Sequence, residues 1–387
     1  MVKTKLIKIV NIKSKIIQGK FGDGRYYGYT DKKLISLVKI TLNNKQFGFG
    51  ESLVGIYSPK LFQVNVDYLS NYFVGKNIDE AFIELKKLQD NKFFFNQGIL
   101  KSILSSLEIA LISCKSKNDV CSFAETVNKI YLKSKFRKSK FVEIYASAGS
   151  IKSSIKNLIN DFKFAKSLNI NRVKIRLNLN KDFSKIIRTV KNYTDNYAID
   201  LIANTFKPNN NKKKLIQFLK LANKNKVLWL EEPVEVESIG DSKFLSKYNN
   251  IFVSYGENFT AYYDYLMLLK LRYIKFLNVD VSHCSISDLI KLILFIRKNK
   301  IKKNIILHCW GSIINLNASI EVASLFKNEI YMVEFPITKF ELNDFYISSV
   351  KIKNSRVKTE NYLTNVENKY NKLKINKISE KNKFRFA

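Results

Sequence analysis

The chain has only four cysteines, at positions 114, 121, 284 and 309, and no two of them form a CxxC pair. That excludes a disulfide framework. No apolar run reaches the eighteen residues of a membrane span. The N-terminal stretch MVKTKLIKIVNIKSKII alternates Lys with apolar residues at period two. This is a strand signature and lacks the apolar core of a signal peptide. A soluble, cytoplasmic protein is expected. Acids are scarce as well, with 33 Asp+Glu against 67 Lys+Arg, a net charge of +34 and a pI near 9.8. Such an excess invites a nucleic-acid reading. Arginine, however, supplies only nine of the 67 cations, and base readers and phosphate clamps need its planar fork. Lys, Asn and Ile are enriched along the whole chain, the mark of compositional drift, so no nucleic-acid partner is expected.

Hydrophobic residues make up 46% and charged residues 26% of the 387 residues, enough for a sizeable core. The length fits two domains, or one large α/β barrel with an appendage. Residues 1–140 read as an α+β unit, with strands at 4–17, 35–41 and 46–51 and helices near 60–73, 78–90 and 98–115. After residue 141, eight short apolar runs alternate with amphipathic helices. They are VEIYAS (142–147), RVKIRL (172–177), AIDLIAN (198–204), KVLWLEE (226–232), IFVSYGE (251–257), KFLNVDV (275–281), NIILHCW (304–310) and EIYMVEF (329–335). Eight units at this spacing predict a (β/α)8-type barrel over 141–340. A doubly wound sheet would more often carry a Gly-rich turn after its first strand, and none is present. Residues 341–387 are polar, and read as a closing segment or a loose tail.

Barrel active sites are built at the C-terminal strand ends, and these ends are polar. They carry Lys174 and Arg176, then Asn204, Glu231, Glu257, Asp280, His308 and Glu334, at spacings of 27, 26, 23, 28 and 26 residues from Asn204 onward. Asn204, Glu231 and Glu257 are three oxygen donors on consecutive strands. Such a set suits one hard divalent cation, Mg²⁺ over Zn²⁺. Asp280 and His308 fall on neighbouring strands, where the carboxylate can hold one imidazole nitrogen and leave the other as a base near neutral pH. Glu334, if protonated or hydrogen-bonded, could donate to a substrate carboxylate. The other histidine, His283, reads as a loop residue.

These motifs, taken in order, resemble the mandelate racemase/muconate lactonizing branch of the enolase superfamily. The resemblance covers roughly residues 1–340, through GFGES…YSPK, SLEIALISCKSK, VEIYAS, VKIR, LWLEEP, YGEN, NVDVS, HCWG and VEF. It implies an N-terminal α+β capping domain over a modified (β/α)7β barrel. It also implies a metal holding the substrate carboxylate and abstraction of the proton α to it by a Lys or His base, with Mg²⁺ stabilising the ene-diolate. Two residues depart from the family pattern. Asn204 stands where the first metal-binding Asp is expected, with Asp200 on the same strand face. Arg176 stands at the usual place of the Lys base, and an arginine stays protonated. Lys174 is then expected to contact the substrate carboxylate.

One base, His308, suits β-elimination better than racemisation, which needs bases on both faces. The expected function is dehydration of a sugar acid to a 2-keto-3-deoxy acid. The alternatives are a racemase, epimerase or cycloisomerase on the same scaffold with Lys174 as second base, and an impaired barrel that only binds anions. In this family the capping loops choose the substrate. Here these are about 20–29 and 50–60, offering Arg25, Tyr26, Tyr27 and Tyr57, with Trp310 of HCWG at the mouth. A homo-oligomer is expected by the same resemblance.

Overall fold

The computed structural model describes residues 6–20, 32–91, 93, 98–149, 154–177, 182–201, 208–236, 239–248, 251–338, 340–342, 347, 350–359 and 363–373. The chain opens with a three-stranded antiparallel sheet of β1 (Ile9–Lys20), β2 (Lys32–Leu42) and β3 (Phe47–Ser52), in the order β1-β2-β3. Alternation puts Ile12, Ile16, Val38 and Ile40 in a core shared with Phe62 and Val66 of α1 (Pro59–Ser70) and Leu85 of α2 (Ile78–Gln89). Asn77 starts α2 with a capping box, its side chain accepting from Glu80 N while Glu80 caps back, which satisfies two otherwise orphaned donors.

The long helix α3 (Gly98–Asn118) is buried on nearly every face, because it lies between the first sheet and the barrel. Gly50 explains how closely it docks. A Cβ there would stand 1.8 Å from Ser106 O, so only glycine lets the strand reach the helix backbone.

The barrel strands are β4 (Phe141–Ala148), β5 (Val173–Arg176), β6 (Tyr197–Asp200), β7 (Leu230–Glu231), β8 (Val253–Tyr255), β9 (Ile274–Val279), β10 (Asn304–Leu307) and β11 (Ile330–Pro336). Each pairs in parallel with the next, and β11 closes on β4 through Val333↔Ile144 to Pro336↔Ser147. The expected barrel with its N-terminal α+β cap is therefore present. The helices that matter below are α4 (Ile155–Ser167), α5 (Phe183–Lys191), α6 (Pro208–Lys224), α7 (Tyr262–Leu269), α8 (Ile286–Lys298) and α9 (Ile313–Ala323). Inside the barrel, Tyr145, Ala198, Trp229, Phe276, Ile306 and Met332 form an apolar floor. Trp229 meets Tyr145 edge to face at 5.1 Å. A dry, packed floor raises the strength of every charge interaction in the layer above it.

The described part of the C-terminal stretch is packed. Strands β12 (Ile352–Lys353) and β13 (Arg356–Lys358) form a hairpin that adds antiparallel to the start of β4. Helix α10 (Leu363–Lys372) sends the buried Glu367 to Phe49 N at 3.0 Å and Ser113 Oγ at 2.8 Å. Lys15 of β1 donates to Tyr370 O at 2.6 Å and Asn371 O at 3.0 Å, a cation at a helix C-terminus. No helix among the described residues is long and apolar enough to cross a membrane.

Candidate active site

The barrel mouth brings together Lys174 and Arg176 of β5, Glu231 of β7 and Glu334 of β11 with Glu257, Asp280 and His308, which lie just past the ends of β8, β9 and β10. Lys174 is fully buried, and its Nζ lies 2.5 Å from Glu231, 3.3 Å from Glu334 and 3.9 Å from Asp200. Burial opposes its charge, but the three carboxylates win and raise its pKa, so it stays an ammonium. Arg176 Nε donates to Asp200 Oδ2 at 3.1 Å. Strand register explains why. Arg176, Asp200 and Glu231 are consecutive Cα partners across β5, β6 and β7, and β6 stops at Asp200. The carboxylate level with Glu231 is thus Asp200. Asn204 lies outside the described residues, as do Arg25, Tyr26 and Tyr27.

Glu257 follows Gly256, whose φ of +120° turns the chain out of β8. A Cβ at Gly256 would meet Tyr265 Cε1 at 2.6 Å and Asn278 O at 3.0 Å, so glycine is required both for the backbone angle and for space.

On the opposite side, His308 Nδ1 bonds Asp280 Oδ2 at 2.6 Å, and its Nε2 faces Glu257 Oε2 at 3.5 Å and Glu334 Oε2 at 3.6 Å. Burial alone would lower the imidazole's pKa, yet Glu334, Glu257 and Asp280 together raise it to about 10. A histidine poised near neutrality was expected, so the carboxylates around it shift the balance to the imidazolium. Glu334 differs from expectation too. Burial favours its neutral form, but Lys174, His308 and Arg176 pull it down to about 2. It is an anion and an acceptor, taking Cys309 N at 3.2 Å, and has no proton to donate.

Two further features come from the cap. Glu51, fully buried on β3, accepts from Ser312 N at 2.8 Å, Ser312 Oγ at 2.6 Å and Asn315 N at 3.2 Å. It therefore holds the N-terminus of α9, directly after the HCWG turn. Asn315 Nδ2 in turn donates to Asp280 Oδ1 at 3.0 Å, which joins the cap to the His308–Asp280 pair. Tyr57 stacks on Trp310 with centroids 6.3 Å apart and lies within electrostatic reach of Glu257, Arg176 and Asp280. His283 follows Asp280 in the turn after β9, its backbone N donating to Asp280 O at 3.0 Å, and its ring is bonded through Nδ1 to Ser102 of α3 at 2.8 Å.

The charge balance indicates what the mouth could hold. Asp200, Glu231, Glu257, Asp280 and Glu334 face Lys174, Arg176 and His308, so five carboxyl groups exceed three cations by two charges. Burial makes that excess costly. It falls on Glu231, which burial first, and then Asp200, Glu257 and Glu334, raise to about 8 against the pull of Lys174. One carboxyl oxygen of the adjacent Glu232 is buried without a hydrogen bond. Among the described residues, no three His, Cys, Asp or Glu side chains form a ready metal cage, since Lys174 is the cation they surround. The donor chemistry, all oxygen with two negative charges in excess, nonetheless fits a hard divalent cation at Asp200, Glu231 and Glu257.

The fold and mouth together define a capped barrel with an acid–base pair opposite a lysine–arginine pair. The family model described as Enolase C-terminal domain-like matches residues 163–361, just over half of the chain. The chain belongs to the enolase superfamily, in its mandelate racemase/muconate lactonizing branch. No curated protein matches it in sequence.

Solved structures share the fold at low identity. The 3,6-anhydro-D-galactonate cycloisomerase from Zobellia galactanivorans has a TM-score of 0.73 at 18% identity, covering 93% of this chain and 99% of its own. A putative isomerase from Sinorhizobium meliloti gives 0.75 at 16%, covering 91% and 94%. The L-talarate/galactarate dehydratase from Salmonella typhimurium LT2, solved with Mg and L-lyxarohydroxamate, gives 0.72 at 14%, covering 93% and 90%.

The sequence offered Asp200 only as a partial substitute for Asn204 on the same strand face, and it did not single out the cap residue Glu51. For Asp200 the signal was there, an acid in the β6 run four residues before Asn204. For Glu51 it was only a place in the GFGES segment.

Proposed function

We propose that this protein dehydrates a sugar acid to a 2-keto-3-deoxy acid by removing the proton α to the carboxylate. One observation carries the reading. His308, held by Asp280 at 2.6 Å, is the one histidine at the mouth, and Lys174 and Arg176 face it as cations. The substrate carboxylate pairs with Lys174 and Arg176. His308 Nε2 then takes the C2 proton, and the C–H electron pair moves into the C1–C2 bond as charge builds on the carboxylate oxygens. The imidazolium returns that proton to the C3 hydroxyl, which leaves as water, and the resulting enol tautomerises to the ketone. No second base is required. Lys174 is tied to Glu231 and Glu334 as an ammonium and Arg176 stays charged, which disfavours the epimerase reading.

Mg²⁺, held by Asp200, Glu231 and Glu257, would stabilise the second negative charge that proton removal places on the carboxylate and offset the anions that keep His308 protonated. Asp200 takes the role expected of Asn204 because it shares the register of Glu231. A neighbour in the fold, the talarate/galactarate dehydratase, was solved with Mg, which is consistent with this choice.

The test is a panel of aldonates and aldarates incubated with Mg²⁺ in D₂O, followed by 2-keto acid detection. His308→Asn should lose product, the deuterium that ketonisation places at its C3, and any C2 exchange in recovered substrate, by at least about a hundredfold, while Mg²⁺ binding is kept. Full activity in that variant would sink the one-base mechanism.

A further inference from the structure

Five lysines are buried among the described residues, namely Lys15, Lys33, Lys101, Lys174 and Lys303. Four are compensated. Lys15 meets two helix carbonyls, Lys101 pairs with Asp288 at 3.0 Å, and Lys174 has its carboxylates. Lys303 donates to Leu268 O, Leu271 O and Ile274 O at 2.6–2.9 Å. Lys33 stands apart. It is 4% exposed, its ammonium donates to the single carbonyl of Trp310, and it lies 4.1 Å over the indole ring. No carboxylate among the described residues is within ion-pair distance of it. The nearest acid in its field, Glu51, has both oxygens engaged by the start of α9.

A second ring, Phe340, lies 5.6 Å from the ammonium, but a buried cation with one carbonyl, two rings and no anion is under-compensated. Its position says what would complete it. Lys33 is the second residue of β2 in the cap, and Trp310, which it touches, is two residues past His308. Asp280 and Arg176 are both within its electrostatic reach. It therefore looks onto the mouth from the cap side, while Lys174 looks onto it from the barrel floor.

We infer that Lys33 binds a second carboxylate, at the far end of the substrate, so that the protein selects a dicarboxylic sugar acid over the monocarboxylic one. This rests on the proposed function above, which places the first carboxylate at Lys174 and Arg176. A diacid then spans from the floor to the cap, with its two anionic ends paired to Lys174 and Lys33. The hydroxylated middle lies along the Trp310–Tyr57 wall. Desolvated charge-assisted contacts of this kind discriminate strongly against an analogue lacking the charged group.

The experiment compares a six-carbon aldarate with the six-carbon aldonate of the same configuration, using the full chain with Mg²⁺. Binding is measured by calorimetry and C2 proton exchange in D₂O is followed alongside. The wild type should bind the diacid at least about tenfold more tightly. Lys33→Met should bring the two affinities within about twofold by weakening only the diacid, and Lys33→Arg should keep most of the preference. Thermal unfolding separates this from a structural role, because removing an unpaired buried charge should leave the melting temperature unchanged or higher. A Lys33→Met protein that unfolds, or that keeps the wild-type preference, overturns the inference. So does a wild type with no preference for the diacid. Proton exchange with an unaltered diacid preference in the variant would leave the dehydration reading standing and remove Lys33. Lys33-dependent diacid binding with no exchange on any acid would do the reverse, and binding of neither acid removes both.

Discussion

At β6 the carboxylate level with Glu231 belongs to Asp200, and that one placement decides how the mouth balances its charge. Arg176 anchors the same carboxylate at 3.1 Å and Lys174 approaches it at 3.9 Å. Asp200 is therefore bound to cations on one side and adjoins Glu231 on the other. Removing its charge should cost metal affinity directly, because a hard cation is held by the charge of its oxygen ligands. Asp200→Asn is expected to weaken Mg²⁺ binding by at least about tenfold, whereas Asn204→Ala should stay within about twofold of the wild type. Trp229 offers a readout independent of turnover, since its Nε1 donates to Glu231 Oε2 at 3.3 Å. With Trp310→Phe as background, Mg²⁺ titrations report through Trp229 alone. The opposite ranking of the two variants would return the ligand role to Asn204.

Among the elements, α9 has the most to do with how the cap governs the barrel. Ser312 caps its first turn, and Glu51 crosses from β3 to supply acceptors for Ser312 and Asn315. Asn315 then holds Asp280, and Asp280 holds His308. Burial pushes the Glu51 carboxyl upward in pKa, while the Ser312 contacts and Lys33 pull the other way. Glu51→Ala leaves these donors unmatched, at a cost of about 1.5–3 kcal/mol by urea denaturation. Because the same helix orients Asp280, kcat should fall more than KM rises. An unchanged kcat in a destabilised variant would make Glu51 a docking residue only.

The barrel itself was legible in the sequence. Each strand is a short apolar run, seven of the eight with a polar or charged residue at the C-terminal end, and all eight formed where those runs lie. What could not be read was where pairing stops. The run AIDLIAN continues past the last ladder residue, so the end of β6 is set by its register against β5 and β7 and not by its own pattern. Lys33 and Glu51 were hidden for a different reason. They touch residues 277 and 261 positions away, and no local periodicity records such a contact.

Over the whole molecule, the excess of cations conceals an ordering of charge. Acids are the minority, yet among the described residues eleven of them are buried, against five lysines. The scarce charge is over-represented inside while the abundant one mostly faces solvent, where it would draw an anionic substrate at low ionic strength. This arrangement makes the protein sensitive to acid. Protonating the 33 acids drives the net charge from +34 toward +67, while stripping the interior of the anions that pair Lys174 and His308. The sign follows from the shifts. Glu334 is held at about 2 against an ordinary value of 4.5, and Asp280 is also lowered, with burial opposed by its bond to His308. Groups depressed in the folded state add stability above their unfolded values and lose it as pH falls through the folded ones. The contribution of these two groups should thus hold down to about pH 4.5 and decline from there toward about pH 2, while the buried Glu51, Glu108, Glu231 and Glu232, whose values are raised, act in the opposite direction. Glu334→Gln should be less stable than the wild type at pH 7, and the gap should close across that same window. Urea midpoints measured from pH 7 to about 2.5 test this, and parallel curves for the two proteins would show that Glu334 is not ionised by its neighbours. Added salt should recover part of the loss, because screening weakens the repulsion of the cationic shell but cannot restore a protonated carboxylate inside.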